Sequence, residues 1–485
     1  MGGTRQFPLE RVDGFRWRIP RESRPGMRVD GLVYADDLLI RDIQADQALE
    51  QVANVAHLPG ILGLSLAMPD IHWGYGFPVG GVAAVDPDEG VISPGGIGFD
   101  CNCGVRVIAA DLSEEELRPR LDRLMDALAR AVPTGVGSHG RLRLGPGDLE
   151  RVLTGGMRWA VEAGYGRPED LERAEEGGCM AGADPACVSQ RARERGRDQL
   201  GTLGSGNHFI EVGVVRRVYD PELAGAFGLR EGQVTVMIHS GSRGLGHQVA
   251  TDYVRLADAE ARRLGIDLPD RQLACAPVRS RVGQDYLAAL AAASNFAWAN
   301  RQCMTHWVRE TFARVFGVSD RDLGLDLVYD HAHNIAKWEH VYVGGRQRRA
   351  LVHRKGACRA FPAGHQQLPP RFRPYGQPVF VPGDMGRASY VMVGTQRALE
   401  ETFGSICHGA GRRLSRSAAK RQIRGADLRR SLAQRGIAVR GAGDAALAEE
   451  APDAYKDVTQ VVDVVERAGL ARRVARLEPL GVLKG

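Results

Sequence analysis

The run Val234-Thr-Val-Met-Ile-His239-Ser-Gly-Ser-Arg-Gly-Leu-Gly-His247 decides the class of fold. Its first five residues are apolar or β-branched, so they read as a buried strand that ends on His239. Gly241, Gly244 and Gly246 then mark a tight turn, and a helical pattern follows His247. Strand, glycine-rich turn and helix in succession is the unit of α/β architecture. An imidazole at the end of such a strand projects at the mouth of a sheet, where functional groups collect.

The same alternation extends in both directions. Ser113-Glu-Glu-Glu116 has the form of a capping box and predicts an amphipathic helix to about Ala131. Further helices are predicted over about Asp184–Asp198, after His247, and over about Gln284–Phe316. Strands are predicted at Val234–His239, Leu325–Tyr329, Leu351–His353, Val379–Val381 and Tyr390–Val393. No repeat, low-complexity tract or long linker interrupts the pattern. The expectation is an α/β (α+β) fold, with residues 1–485 forming one catalytic domain whose chemistry lies on strand-to-loop junctions.

With 44% apolar and 25% charged residues, the 485-residue chain has ordinary globular composition. Its 61 glycines are in excess and cluster around His and Asp, as expected where backbone bends closely around ligands. The net charge of +5 is mildly basic and favours an anionic partner only weakly. The basic residues are uneven, however. Arg346, Arg348, Arg349, Arg354, Lys355 and Arg359 form one cluster, and Arg412, Arg413, Arg416, Lys420, Arg421 and Arg424 a second. Both fall in the half that contains His333 and His408, which points to a phosphate-rich substrate. The N-terminus lacks the apolar core of a signal peptide, and no stretch reaches 18 apolar residues; Tyr286–Ala299 is interrupted by Ser294 and Asn295. Eight irregularly spaced cysteines exclude a secreted disulfide scaffold. A reduced, cytoplasmic protein without a membrane segment is expected.

Five segments carry candidate chemistry: Gly95–Arg106 with Asp100, Cys101 and Cys103; Leu203–Glu211 with Asn207, His208 and Glu211; the opening run with His239 and His247; Tyr329–Lys337 with His331, His333 and Asn334; and Gly404–Arg412 with His408. Asp100 and Cys103 stand three apart in a glycine-bounded turn, a spacing that lets both face one point. Together with His208, His239 and His333 they offer one thiolate, one carboxylate and three imidazoles, enough for one closed metal site or two sites sharing a ligand. Zn²⁺ suits the soft donors and Mn²⁺ the hard ones, so spacing leaves the ion open. Cys101 points the other way and reads as packing. No phosphate-binding P-loop pattern occurs. Ser240–Gly246 can hold an anion at the start of a helix. His408-Gly-Ala-Gly-Arg412 joins a nucleophilic imidazole to close-approaching backbone and a guanidinium able to stabilise developing charge.

Longer motifs add a family resemblance. MPDIHWGYGFPVGG (Met68–Gly81), ISPGGIGFDCNCGVR, QLGTLGSGNHFIEV, HSGSRGLGH, NFAWANRQ, AHNIAK, RKGACRAFP, HGAGRRLSR, AYKDV and the closing GVLKG resemble, in order from about Gly60 to Gly485, the RtcB family of RNA-splicing ligases. The resemblance implies mixed and antiparallel sheets with surrounding helices around a deep, metal-containing cleft. It implies two Mn²⁺ ions bridged by Cys103, one also held by Asp100 and His208, the other by His239 and His333. His408 would attack GTP to form a histidine–GMP intermediate, with Asp100 and Arg412 completing the catalytic group. The guanylate would pass to an RNA 3′-phosphate and be displaced by a 5′-hydroxyl, a 2′,3′-cyclic phosphate end being opened first. The nucleotide pocket would comprise Asn207, Glu211, Asn334, Ser389, Gly409, Ala410, Gly411, Tyr455 and Lys484, while Arg195, Lys355 and Arg412 would hold RNA or triphosphate oxygens. The implied partners are tRNA halves or broken RNA, GTP and an archease-type activator. The lysine motif K-x-D-G of other nucleotidyl ligases is absent, which agrees with a histidine nucleophile. Pro382-Gly-Asp384-Met-Gly departs from the family pattern, which more often has Ser at the third place, and Cys101 stands where an aliphatic residue is common. The alternative reading is a two-metal phosphohydrolase that opens cyclic phosphate ends without joining them.

Overall fold

A computed structural model describes residues 7–441 and 443–485; residues 1–6, part of the N-terminal stretch read above, lie outside it. Two large, mostly antiparallel sheets organise the chain. The first has seven strands in the order Glu10–Arg11, Arg16–Ile19, Asp30–Tyr34, Ile61–His72, Val79–Val85, Arg346–Lys355 and Asn334–Val343. The second runs Asp326–Ala332, Gly104–Ser113, Gln233–Ser240, Phe209–Val218, Ala471–Lys484, Ser389–Gly394 and Pro378–Val381, with Ala438–Gly441 added in parallel to Ala471–Lys484. Helices and sheets pack as a mixed α/β fold. Asp326–Ala332 edges one sheet and Asn334–Val343 the other, so the single residue between them, His333, stands where the sheets meet. No described helix is long and apolar enough to cross a membrane.

The predicted elements appear with shifted bounds, each for a local reason. The capping box forms at Ser113 and Glu116, but Pro119 tightens the chain into a 3₁₀ turn, which separates Glu114–Leu117 from the amphipathic helix Leu121–Ala131. The helix expected from Asp184 starts at Gln190, capped by Ser189; Asp184 caps only the turn Pro185–Cys187. The helix expected after His247 already begins at Arg243, inside the glycine-rich run, and extends to Arg263. The strand read at Leu351–His353 spans Arg346–Lys355, its polar first half lying on an exposed hairpin end that an apolar pattern does not mark. The other fourteen described strands, including Ile61–His72, Gly104–Ser113 and Ala471–Lys484, have no predicted counterpart. Ala471–Lys484 carries charges and Pro479, which falls at a register shift where no ladder donor is needed.

The helix Arg281–Phe316 braces the strand ends from below, buried along most of its length. Asn300 accepts from the backbone of Gly201 and Thr202 and donates to the Gly241 carbonyl. Arg301, wholly buried, donates to the carbonyls of Asn102 and Ser240, to the Asn102 side chain and to both oxygens of Asp330. Asp330 is in turn held by Arg106 at 2.7 Å and by Trp298 at 3.0 Å. A buried guanidinium–carboxylate network adds little net stability when intact, but losing one member strands the other charge.

Arg301→Met is therefore expected to lower the unfolding free energy by about 3–5 kcal/mol. Arg348→Met, on the exposed end of the hairpin, should change it by less than about 0.5 kcal/mol. Thermal or denaturant unfolding of both variants checks the contrast, and equal losses would contradict it.

Candidate metal and nucleotide site

Sheet register assembles the candidate ligands. Gly104 pairs with Ser240 on one side and Ala332 on the other, so Cys103, one residue earlier, falls opposite His333 and, across the other strand, opposite Gly241 with His239 on the diagonal. Phe209 pairs with His239, which brings His208 to the same corner. The remaining ligand comes from the turn Asp100–Cys103, closed by a bond from the Cys103 amide to the Asp100 carbonyl. Its third residue, Asn102, has φ of 52°, a left-handed conformation that asparagine tolerates. Arg301 locks that residue through both its carbonyl and its side chain. Asp100 and Cys103 consequently face one point.

The donor atoms converge on one small region. Cys103 Sγ lies 3.4 Å from His208 Nε2 and 3.2 Å from His239 Nε2, and His239 Nε2 lies 3.4 Å from His333 Nε2. His208 Nδ1 is 2.9 Å from the Leu203 carbonyl, which can only accept, so Nδ1 carries a hydrogen and Nε2 is the nitrogen turned towards the cluster. Nε2 lies 2.8 Å from Asp100 Oδ2. Burial, reinforced by neighbouring histidines, holds His239 and His333 well below the usual histidine range, so both are neutral. Burial, then Asp100, pushes the Cys103 thiol well up, as expected of a ligand that loses its proton to a cation rather than to water. Lone pairs facing lone pairs at these distances fit a bound cation. They form two overlapping groups, Asp100–Cys103–His208 and Cys103–His239–His333, with the thiol common to both.

Ser240–Gly246 does not present a free anion cradle. Asp100 Oδ1 accepts from the backbone and hydroxyl of Ser242 where the helix begins, so the anion at that helix start is the ligand carboxylate itself. A side chain at Gly241 would put its Cβ 2.3 Å from Asp100 Oδ1. Cys101 is buried on the opposite side, its Sγ near the Gly246 carbonyl.

A cavity opens beside the metal ligands, and His408 lies in its wall, its ring 4.8 Å from that of His333. Asp70 Oδ2 accepts from the His408 amide at 3.0 Å and holds its Nδ1 at 2.6 Å. Nδ1 thus keeps the hydrogen, and Nε2 is the ring nitrogen left with a lone pair. Asp70 is fully buried, and Lys456 clamps its strand through the carbonyls of Pro69 and Ile71. The sequence reading had not singled out Asp70, although a lone carboxylate in an apolar strand signals a buried partner. At Gly411 a Cβ would lie 2.1 Å from the Asp70 carbonyl, so only glycine lets the His408 loop close on this strand.

The remaining predicted residues divide. Asn207, Glu211, Asn334, Lys355, Ser389, Gly409, Ala410, Gly411, Arg412, Tyr455 and Lys484 all line the cavity. Glu211 has no protein partner among the described residues; burial, then nearby Asp384, pushes it up to about 8. Lys355 is buried with its ammonium on the Tyr75 and Phe77 carbonyls, and burial brings it down to about 7. Arg412 is already engaged by Glu450, Tyr455 and the carbonyls of Leu414 and Glu449, which makes it a brace for the pocket wall. Arg195 is exposed and does not line the cavity; it donates to Gln248 beside His247, whose ring stacks on Phe99 at the cavity edge. The basic clusters also split. Arg354 and Arg359 are buried on Glu339 and on Glu175 and Glu176, so they are structural ion pairs rather than phosphate ligands. In the second cluster Arg413 pairs with Asp42 and Lys420 with Glu449, while Arg416 reaches the cavity.

Comparison with known proteins agrees with this geometry. The family profile described as tRNA-splicing ligase RtcB matches residues 51–485. A protein of Thermococcus kodakarensis named tRNA-splicing ligase RtcB is 57% identical over 478 residues, covering 99% of each chain. One of the same name from Archaeoglobus fulgidus is 55% identical over 98% of this chain and 99% of its own. A Mycobacterium bovis protein named RNA-splicing ligase RtcB is 55% identical over 90% of this chain and all of its own.

The shared thiol makes a specific prediction. Cys103→Ala should lose its bound divalent ions after gel filtration, as read by elemental analysis, whereas Cys101→Ala should retain the content of the unchanged chain. Full metal content in Cys103→Ala would contradict the assignment.

Proposed function

The chain belongs to the RtcB family and is an RNA ligase, and from that premise we propose that it joins RNA 3′-phosphate or 2′,3′-cyclic phosphate ends to 5′-hydroxyl ends through guanylated His408, using GTP and two Mn²⁺ ions. One observation carries the reading: His408 shares the cavity wall with the candidate ligands His239 and His333, its Nδ1 hydrogen fixed on Asp70.

The chemistry follows from that tautomer. His408 Nε2 attacks the α-phosphorus of GTP, a P–N bond forms and the bond to pyrophosphate breaks. Asp70 stabilises the positive charge that develops on the imidazole while the hydrogen stays on Nδ1, as a buried carboxylate does for a catalytic histidine elsewhere. An RNA 3′-phosphate oxygen then attacks the same phosphorus, the P–N bond breaks and His408 regains its lone pair. The 5′-hydroxyl attacks the activated 3′-phosphorus, expelling GMP and closing the phosphodiester. A cyclic end is first opened by water. Divalent ions held by Asp100, Cys103, His208, His239 and His333 would supply charge neutralisation and in-line alignment of attacking and leaving oxygens.

Guanine selection falls to Glu211, whose two oxygens can accept from N1–H and N2–H, with Ser389, Tyr455 and Lys484 around the base and Asn207, Asn334 and the Gly409–Gly411 backbone near the sugar and phosphates. Lys355 has a cavity position suited to a phosphate oxygen, whose charge would restore its full protonation. Arg412 serves this pocket through Glu450 and Tyr455, and Arg195 meets RNA at the rim. The same reading has the enzyme at work in the cytoplasm on tRNA halves or broken RNA, with an archease-type activator as a further partner. A reducing compartment suits the shared thiolate, and all eight cysteines are free.

With GTP labelled at its α-phosphorus and Mn²⁺, the protein is expected to acquire an acid-labile label. The label should be absent in His408→Ala and at least about 100-fold slower to form in Asp70→Asn. Full labelling of His408→Ala would exclude this nucleophile. Opening of cyclic ends without any joined product would instead support a phosphohydrolase.

A further inference from the structure

Three arginines line a surface depression where two helices end, away from the nucleotide cavity. Arg130 lies in the last turn of Leu121–Ala131 and Arg314 in the last turn of Arg281–Phe316. Arg141 comes from the loop that follows the first of these helices, and Ala131 completes the lining. All three guanidiniums belong to exposed residues. Arg141 is held in place, its guanidinium carbon 4.1 Å from the centre of the Trp307 ring and its Nη1 3.4 Å from Glu310. Arg130 and Arg314 have no hydrogen bond or ion pair among the described residues. Each meets the negative end of its own helix, but that attraction is weak at an exposed site and leaves the charge available. Arg120, 5.2 Å over the Phe316 ring, adds a cation at the same helix end. Among the described residues, Glu310 is the one carboxylate paired with these four, and it is shared with His306. Arg354 and Arg359, by contrast, are each matched by buried glutamates.

A short run of backbone ties this patch to the candidate metal ligands. After Ala131, the Pro133 carbonyl accepts from the Leu203 amide at 2.9 Å, and the Gly135 amide donates to the Gly204 carbonyl at 2.7 Å. The Leu203 carbonyl is the one that fixes His208 Nδ1. The four steps from Ala131 to Gly135 span at most about 14 Å. Val136, next along, is 90% exposed, so the run reaches the surface beside the ligand corner. At about 3.4 Å of rise per stacked nucleotide, a strand with its end at the ligands crosses that distance in about four nucleotides.

We propose that Arg130, Arg141 and Arg314 grip the phosphate backbone of the RNA strand a few nucleotides from the end being joined. This rests on RNA as the substrate and not on the guanylate step. Guanidinium forks match phosphate oxygens, and a cationic patch without paired carboxylates releases condensed counterions when a strand settles on it. Contacts of this kind set the position of a strand and carry no base preference, as a ligase acting on many ends requires.

The test is equilibrium binding of a single-stranded RNA with a 3′-phosphate, followed against salt concentration without GTP or added metal. Four full-length proteins are compared: the unchanged chain, Arg130→Gln/Arg314→Gln, Arg130→Lys/Arg314→Lys, and Arg346→Gln/Arg348→Gln. The last removes the same charge from the exposed end of the hairpin strand Arg346–Lys355. The first glutamine variant is expected to flatten the log–log salt slope by about 1.4, at about 0.7 per single-strand phosphate contact. Contacts that fade towards 1 M salt make that about 25-fold weaker binding at about 0.1 M. The lysine variant and the hairpin variant should keep the slope of the unchanged protein. An unchanged slope in Arg130→Gln/Arg314→Gln overturns the proposal. So does an equal loss in the lysine variant, which would mark a structural role, or in the hairpin variant, which would mark net charge alone. With no GTP present, failure of the guanylate reading leaves this result readable, and failure here leaves that reading standing.

Discussion

The structure turns on one electrostatic constraint: five lone-pair donors aimed at each other in a buried corner. Cys103, with Asp100 and His208 on one side and His239 and His333 on the other, offers more lone pairs than protons, because His208 has a hydrogen on Leu203 and the other two imidazoles are neutral. A cation that replaces the Cys103 proton satisfies all five at once, and its binding free energy becomes native-state stability. The surrounding scaffold reads as the means of holding that arrangement. Arg301 fixes the left-handed Asn102, Asn300 ties down the Gly241 turn, and the start of the helix Arg243–Arg263 holds Asp100. Arg243 itself has φ of 54°, so two of the four described non-glycine residues with positive φ, Asn102 and Arg243, flank the same ligands. Local backbone strain of this kind is tolerated where the neighbours over-determine it.

From that corner the functional parts follow in sequence across the cavity. His408 comes next, tied by Asp70 to a different sheet from the one that carries His239. The two sheets therefore contribute separate halves of the chemistry, and His333 sits at their junction. Beyond His408 lie the acceptor Glu211 and the brace of Arg412, Glu450 and Tyr455. On the proposed reading, a nucleotide would lie with its phosphates towards the candidate ligands and His408 and its base towards Glu211.

Much of this was legible in the sequence, because the ligands lie at strand ends where short motifs record them. The opening run announced strand, turn and helix, and the Asp100–Cys103 spacing announced a shared focus. What was not legible depends on contacts between distant segments. Asp70 and His408 are 338 residues apart, and nothing local declares their bond. Counting arginines misled for the same reason: Arg354 and Arg359 look like phosphate ligands until Glu339, Glu175 and Glu176 are seen against them. The glycine-rich run suggested an anion site correctly, but the anion is Asp100, supplied from elsewhere in the chain. Strands such as Ala471–Lys484 escaped because burial on both faces and an interior proline remove the alternation that marks a strand.

The most direct test of the account is anomalous X-ray scattering at the manganese edge from crystals grown with Mn²⁺. The account predicts two peaks on either side of Cys103 Sγ, one within coordination distance of Asp100 and His208, the other of His239 and His333. A single peak, or peaks away from Cys103, would contradict it.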